Sequence, residues 1–332
     1  MEEEILRKIE QASDITITAH RSPDGDSVGS SLALYHICKK LGKNVTVCFP
    51  DEIPYFLMWV KGAKDILIFD NEPEKVREKL LSCDLLFALD YNGSSRMGIE
   101  MGAVFDASSA FKIMIDHHTH PEQFVDISYS FPEVGSTSQL LFQVLKNANR
   151  LDLLTVETGT AIYLGIMTDT GSFRFPSVTA ETHRILAQLL EIGVKHYEIH
   201  ENVYDTNTVD RLKLRGFALS EKLEVINNEV AIISLTQNEL NDFHYKKGDT
   251  EGLVNMALSV EGMKVAAFFN EADDYIKISF RSKGTGNKVN LLSQNYFNGG
   301  GHINAAGGRY EGSMESAITL FKEKVYEFLD KE

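Results

Sequence analysis

Through the first half of the chain, apolar runs of strand length alternate with longer segments of helical period. Residues 14–19, 44–49, 84–89 and 111–115 read as strands, with a weaker one at 66–69. Helices are predicted at 3–12, 26–41 and 73–81, with a short helical segment at 54–60. The strands are almost wholly apolar, which predicts a parallel sheet covered on both faces. The chain then turns helical at 136–151, 155–167, 179–192 and about 194–218. Beyond that, strands are predicted at 223–226, 230–235, 264–270 and 275–280, and helices at 289–296 and 314–329. The turn Glu271-Ala272-Asp273-Asp274 joins the last two strands as a hairpin. The predicted architecture is therefore α/β: an N-terminal parallel-sheet domain over 1–190, a helical linker over 191–215, and a smaller α+β domain over 216–332.

Polar residues with reactive side chains fall where these elements end. His20-Arg21-Ser22-Pro23-Asp24-Gly25-Asp26-Ser27-Val28-Gly29-Ser30 lies between the first strand and the next helix. Asp90 ends the strand at 84–89, Asp116-His117-His118 ends that at 111–115, and Asp169 follows an apolar helix. Any one strand-terminal Asp reads better as a helix cap or an Asx-turn than as a ligand. Parallel strands end on one edge, where open α/β sheets bind their ligands. Several carboxylates and three histidines gathered there favour a site.

Composition narrows the choice of partner. The net charge of −15 repels a long polyanion and argues against stable duplex DNA binding. No apolar run reaches the roughly 20 residues of a membrane helix, so no membrane partner is expected. The acidic start, Met1-Glu2-Glu3-Glu4, opens an amphipathic helix rather than a signal peptide. Cys38, Cys48 and Cys83 lack CxxC spacing, so reduced thiols in a cytoplasmic protein are expected. Self-association as a homodimer stays open.

Clustered carboxylates repel one another unless cations intervene. Oxygen and imidazole donors without cysteine favour manganese or magnesium, with cobalt or iron as alternatives and zinc less favoured. Asp24, Asp26, Asp90 and Asp169 carry four negative charges, which two divalent ions would neutralise. Two such ions about 4 Å apart can activate water and polarise a phosphoryl group.

The pattern of His20, Asp24, Asp26, Gly29 and Ser30, then Asp90, Asp116-His117-His118 and Asp169 resembles the DHH phosphoesterase superfamily. Gly299-Gly300-Gly301-His302 followed by Ala305-Ala306-Gly307-Gly308 is similar to the signature of its DHH-associated substrate domain. Length and spacing resemble the nanoRNase/pAp-phosphatase group, with RecJ exonucleases as larger relatives. The resemblance implies a Rossmann-like catalytic domain with one metal on His20, Asp24 and Asp90. It implies a second metal on Asp26, Asp90, His117 and Asp169, with Asp90 bridging. His118 would then contact the scissile phosphate or protonate the leaving oxygen, and Asp116 would orient an imidazole or form a turn.

The second domain offers cations and amides. Arg281 and Ser282 follow a predicted strand, and Gly299, Gly300 and Gly301 beside His302 read as an anion nest ahead of a small-residue helix start. Arg96 lies near the metal motifs as a further phosphate contact. The expected function is hydrolysis of short single-stranded RNA or of 3′-phosphoadenosine 5′-phosphate (pAp) with two divalent metals, manganese first, the cleft between domains setting substrate length. Alternatives are a linear or cyclic dinucleotide phosphodiesterase, a polyphosphate or pyrophosphate hydrolase and, ranked low, a non-catalytic nucleotide-binding module.

Overall fold

In a computed structural model that describes residues 1–272 and 274–329, the chain divides into two units, Met1–Thr206 and Asn207–Glu332. Asp273, in the predicted hairpin turn, lies outside the described residues.

The first unit runs α1 (Glu2–Gln11), β1 (Asp14–Thr18), α2 (Gly25–Lys40), β2 (Asn44–Phe49), β3 (Leu67–Ile68), α3 (Pro73–Ser82) and β4 (Leu85–Leu89). It continues α4 (Ile99–Ala107), β5 (Phe111–Asp116), β6 (Ile127–Ser130), α5 (Thr137–Asn147), α6 (Val156–Asp169), α7 (Ala180–Glu191) and α8 (His196–Tyr204). Every strand pairs in parallel, in the order β3-β2-β1-β4-β5-β6. That order reverses direction between β1 and β4, the switch point where Rossmann-type sheets open a crevice at their carboxyl ends. β4 is buried at every position, as its unbroken apolar run Leu85-Leu86-Phe87-Ala88-Leu89 requires of a strand covered on both faces.

Helix α2 has little amphipathic bias because it is buried nearly all round, from Gly25 to Cys38. Its start is a capping box: Asp24 Oδ1 accepts the amides of Asp26 and Ser27, both at 3.0 Å, and Ser27 Oγ accepts the amide of Asp24 at 2.8 Å. The cap and the candidate ligand are thus one residue, with Oδ1 used locally and Oδ2 left over. Cys38 and Cys48 are buried free thiols that burial pushes up to about 12. No helix among the described residues is long and apolar enough to cross a membrane.

The second unit comprises α9 (Val209–Ser220), β7 (Leu223–Ile226), β8 (Val230–Leu235), α10 (Gln237–Asp242), α11 (Leu253–Leu258), β9 (Val265–Glu271) and β10 (Ile276–Ser282). It ends with α12 (Val289–Tyr296), β11 (Gly300–His302), β12 (Ala305–Tyr310) and α13 (Met314–Lys324). Its mixed sheet has the order β11-β12-β10-β9-β8-β7, with only the β8–β9 pair parallel among those described.

The structure changes several expectations. The long helix expected over 194–218 is two helices, because Thr208 caps a new start by accepting the amide of Arg211 at 3.1 Å. β6 and helices α4, α10 and α11 are further elements that no strong periodicity in the sequence marks. Gly299-Gly300-Gly301 is not an open anion nest, and Ala305-Ala306-Gly307-Gly308 does not start a helix. They form a β-hairpin with the register Gly300↔Gly307, Gly301↔Ala306 and His302↔Ala305. Successive amides of a strand point to opposite sides, so they cannot converge on one anion. The glycines serve close approach instead: a Cβ on Gly301, at φ +138°, would lie 2.5 Å from the Ala305 carbonyl oxygen. Ser282 is likewise committed to structure. It is buried, its hydroxyl donates to Asn287 O at 2.6 Å, and it accepts from Asn304 Nδ2 at 2.8 Å.

Candidate metal centre

Strands β1, β4 and β5 deliver His20, Asp90 and Asp116-His117-His118 to one edge of the parallel sheet. The start of α2 adds Asp24 and Asp26, and the last residue of α6 adds Asp169. Asp90 leaves β4 with φ +65°, a left-handed conformation that Asp tolerates better than most residues.

The groups converge on Asp90. His20 Nε2 lies 3.4 Å from Asp90 Oδ2 and 3.7 Å from Asp24 Oδ2. On the other side, His117 Nε2 lies 3.4 Å from Asp90 Oδ1, 3.1 Å from Asp169 Oδ2 and 3.8 Å from Asp26 Oδ2. One ligand atom from each of His20, Asp24 and Asp90 falls within 4.8 Å of the others, and the same holds for Asp26, Asp90 and His117 and for Asp90, Asp116 and His118. Asp90 belongs to each of these groups.

Each imidazole is aimed through its Nδ1. His20 Nδ1 donates to Arg21 O at 2.8 Å, and His117 Nδ1 donates to Val134 O at 3.1 Å. A carbonyl can only accept, so Nδ1 carries the hydrogen and Nε2 faces the cluster. His118 Nδ1 bonds Asp116 Oδ1 at 2.7 Å, and the Asp116 Oδ2 accepts the His118 amide at 3.1 Å. The His118 side chain is 13% exposed against 4% for His117, so it is His118 that reaches toward solvent.

The electrostatics are those of a site short of positive charge. Burial alone would depress His20, but its hydrogen bond to Asp90 and the charges of Asp24 and Asp90 carry it up to about 9. His117 is raised well above the usual imidazole range for the same reason: Asp169 and Asp90 outweigh burial. Asp26 is pushed well up by burial and by the neighbouring Asp90 and Asp169 charges, and Asp24 is raised chiefly by burial. Asp90 goes the other way: its hydrogen bonds to His117 and His20 overcome burial and hold it well down. Protons on imidazoles and carboxylates thus stand where cations would relieve the repulsion. The all-oxygen and imidazole donor set fits hard or borderline divalent ions.

A pH dependence follows from these shifts. A group whose folded pKa is raised stabilises the metal-free protein fully below its unfolded pKa, and that contribution is lost as pH rises through the folded value. For His20 this window runs from the ordinary imidazole value of 6.5 to about 9. Cation binding must expel the same protons, so it strengthens with pH. The rise in melting temperature on adding Mn2+ is therefore expected to be larger at about pH 8.5 than at about pH 6.5. Melting curves with and without the ion at both values check this, and a larger rise at the lower pH would contradict it.

Some positioning groups were not legible in sequence. The start of α5 meets the cluster: the amides of Thr137 and Ser138 donate to Asp26 Oδ2 at 2.6 Å and Oδ1 at 3.0 Å. Thr137 Oγ1 donates to Asp90 Oδ1 at 3.0 Å. The Asp26 carboxylate and Ser138 hydroxyl occupy the space a Cβ on Gly165 would need, so α6 approaches them only as glycine. Ser136 ahead of an apolar helix was a readable cap signal, but nothing in the sequence says where that helix points.

The other predicted contacts are placed as follows. Arg96 is exposed on a turn at Ser94–Met97, close enough for its charge to oppose protonation of His20, and its carbonyl accepts the Arg21 amide at 2.8 Å. Arg281 sits in the second unit on β10, half-buried, with Nη1 donating to Phe280 O at 2.9 Å. His302 ends β11, also half-buried.

Comparison with known proteins is consistent across the chain. Residues 14–166 match the DHH family, N-terminal domain, and residues 227–331 match the DHHA1 domain. The bifunctional oligoribonuclease and PAP phosphatase NrnA of Thermus thermophilus is 31% identical over 99% of this chain and 93% of its own length. The crystal structure of an exopolyphosphatase-related protein from Bacteroides fragilis superposes with a TM-score of 0.92 at 40% identity, covering 98% of this chain and 96% of that one. RecJ from Thermus thermophilus, solved with Mn2+, shares the fold at a TM-score of 0.53 and 13% identity, covering 98% of this chain and 54% of that one. With the metal-type residues gathered on the switch-point edge, these likenesses show that the chain belongs to the DHH family of phosphoesterases, with a DHHA1 domain in its second half.

Proposed function

We propose that this DHH phosphoesterase hydrolyses very short oligoribonucleotides such as pApA, and pAp, using two divalent cations, manganese first. The observation that carries the substrate is its near full-length likeness to a relative named as an oligoribonuclease and PAP phosphatase. His20, Asp24 and Asp90 would hold one cation, and Asp26, Asp90, His117 and Asp169 the other. Bound there, such ions supply polarisation of a phosphoryl group and activation of water.

The chain's own groups account for the rest. Water adds to phosphorus as the bond to the leaving oxygen breaks, and His118, with Nδ1 held by Asp116, places the proton from Nε2 on that oxygen. pApA would yield two AMP, and pAp would yield AMP and phosphate. The net charge of −15 means that binding needs local cations, and Arg281, His302 and Arg96 are assigned that part. Gly299, Gly300 and Gly301 shape the hairpin that carries His302.

A charge-assisted contact is worth about 1.5–3 kcal/mol, or roughly ten- to a hundred-fold in affinity. Arg281→Ala is therefore expected to raise KM for pApA and pAp by that factor and to leave bis-p-nitrophenyl phosphate nearly unchanged. Steady-state kinetics on the three substrates decide it, and equal losses on all would overturn the assignment of Arg281.

One specific observation favours a second reading: the structure that is 40% identical is called exopolyphosphatase-related. A turnover panel with manganese on pApA, pAp, RNA of two to five nucleotides, cyclic di-AMP and polyphosphate separates the two. Turnover of pApA and pAp well above polyphosphate supports the proposal, and the reverse order replaces it.

A further inference from the structure

Thr137 opens α5, and its two hydrogen-bond donors go to different carboxylates of the cluster. Its amide donates to Asp26 Oδ2 at 2.6 Å and its hydroxyl to Asp90 Oδ1 at 3.0 Å. Thr137 is fully buried, and Asp26 and Asp90 are nearly so. The amide contact belongs to the backbone, so any residue at this position keeps it. The hydroxyl contact belongs to the side chain alone. It is not needed to start the helix, because Ser136 is the cap and accepts the Gln139 amide at 3.1 Å.

The Asp90 carboxylate faces two ways. Oδ2 is turned to His20 and Oδ1 to His117, each at 3.4 Å. The terminal torsion of an Asp side chain is broad, so the plane of the carboxylate must be set by its hydrogen-bond donors. Both imidazoles stand at 3.4 Å, whereas the Thr137 hydroxyl lies within hydrogen-bond distance of Oδ1. It occupies one lone pair of Oδ1 and leaves the other available.

We propose that Thr137 is a positioning residue: its hydroxyl fixes the plane of the Asp90 carboxylate so that one oxygen serves the His20 side and the other the His117 side. This rests on the reading of the cluster as a two-cation centre. Thr137 touches Asp90 and not the reacting atoms. Losing the hydroxyl lets the carboxylate turn as a unit to suit the first ion, which His20 and Asp24 help to hold, so that Oδ1 is out of place for the second, His117-side ion.

The test titrates full-length wild type, Thr137→Ser and Thr137→Val with Mn2+ alone. Calorimetry counts the ions, and electron paramagnetic resonance reports whether they form an exchange-coupled pair. Wild type and Thr137→Ser are expected to bind two ions with the coupled signal. Thr137→Val is expected to bind the first ion normally and the second about 10- to 100-fold more weakly, the usual cost of losing a group that orients a ligand. The coupled signal should be absent at Mn2+ concentrations that fill wild type. If Thr137→Val matches Thr137→Ser, or loses both ions equally, the role given to Thr137 is wrong while the two-cation centre stands. If wild type binds fewer than two ions, both fail. Should Thr137→Val lose its circular-dichroism signature, Thr137→Ala, which also drops the hydroxyl and keeps the amide, replaces it in the same comparison.

Discussion

Asp90→Asn is expected to abolish turnover by about 10³-fold or more while the protein stays folded, each factor of ten being about 1.4 kcal/mol of lost transition-state stabilisation. The carboxylate is shared between the His20 side and the His117 side, at 3.4 Å from each imidazole, so removing its charge weakens both halves of the centre together. The substitution is clean in two respects. Asn has nearly the same size, and it tolerates the left-handed conformation at φ +65° as well as Asp does. Loss of activity would therefore report lost charge rather than lost backbone geometry. Mn2+ titration of the purified variant, beside its rate on pApA, makes the measurement. Near-normal activity with the ion supplied would remove Asp90 from the centre of the account.

The second large effect separates two adjacent histidines. His118→Ala is expected to keep its metal content and to lose about 10²- to 10⁴-fold in turnover, the usual value of a positioned general acid. Its Nδ1 is held by Asp116 at 2.7 Å and its ring reaches solvent, as a proton donor to a leaving group requires. An ester with a p-nitrophenol leaving group needs little protonation and should lose far less. His117→Ala should behave in the opposite way and lose bound metal, because its Nε2 is buried against Asp169, Asp90 and Asp26. Metal analysis and rates on both ester types check the pair. Metal loss in His118→Ala with full loading in His117→Ala would reverse the two roles.

The parallel sheet was readable because its strands are short, fully apolar and bounded by polar turns, as in Leu85 to Leu89 before Asp90. The convergence of His20, Asp90 and His117 followed from that sheet alone, since parallel strands end on one edge. What stayed hidden depends on tertiary approach. Thr137 and Ser138 reach Asp26 across more than 100 residues of sequence, and no local pattern encodes that. Gly165 looks like a weak point in an apolar helix until its missing Cβ is seen to make room for Asp26 and Ser138. In the second unit, Gly299 to Gly301 read in sequence as an anion nest or a flexible turn, and neither reading shows a strand pairing. The hairpin with Ala305 to Gly307 is decided by its cross-strand partners. Ser282 reads in sequence as a polar neighbour of Arg281, but its hydroxyl is spent on Asn287 and Asn304.

One carboxylate, Asp90, is proposed to serve two cations on the switch-point edge of the sheet. Anomalous diffraction from crystals grown with Mn2+ tests it most directly. The account predicts two manganese peaks about 4 Å apart, one beside His20 and Asp24 and one beside His117 and Asp169, with Asp90 between them. A single peak, or two peaks that share no contact with Asp90, would contradict it.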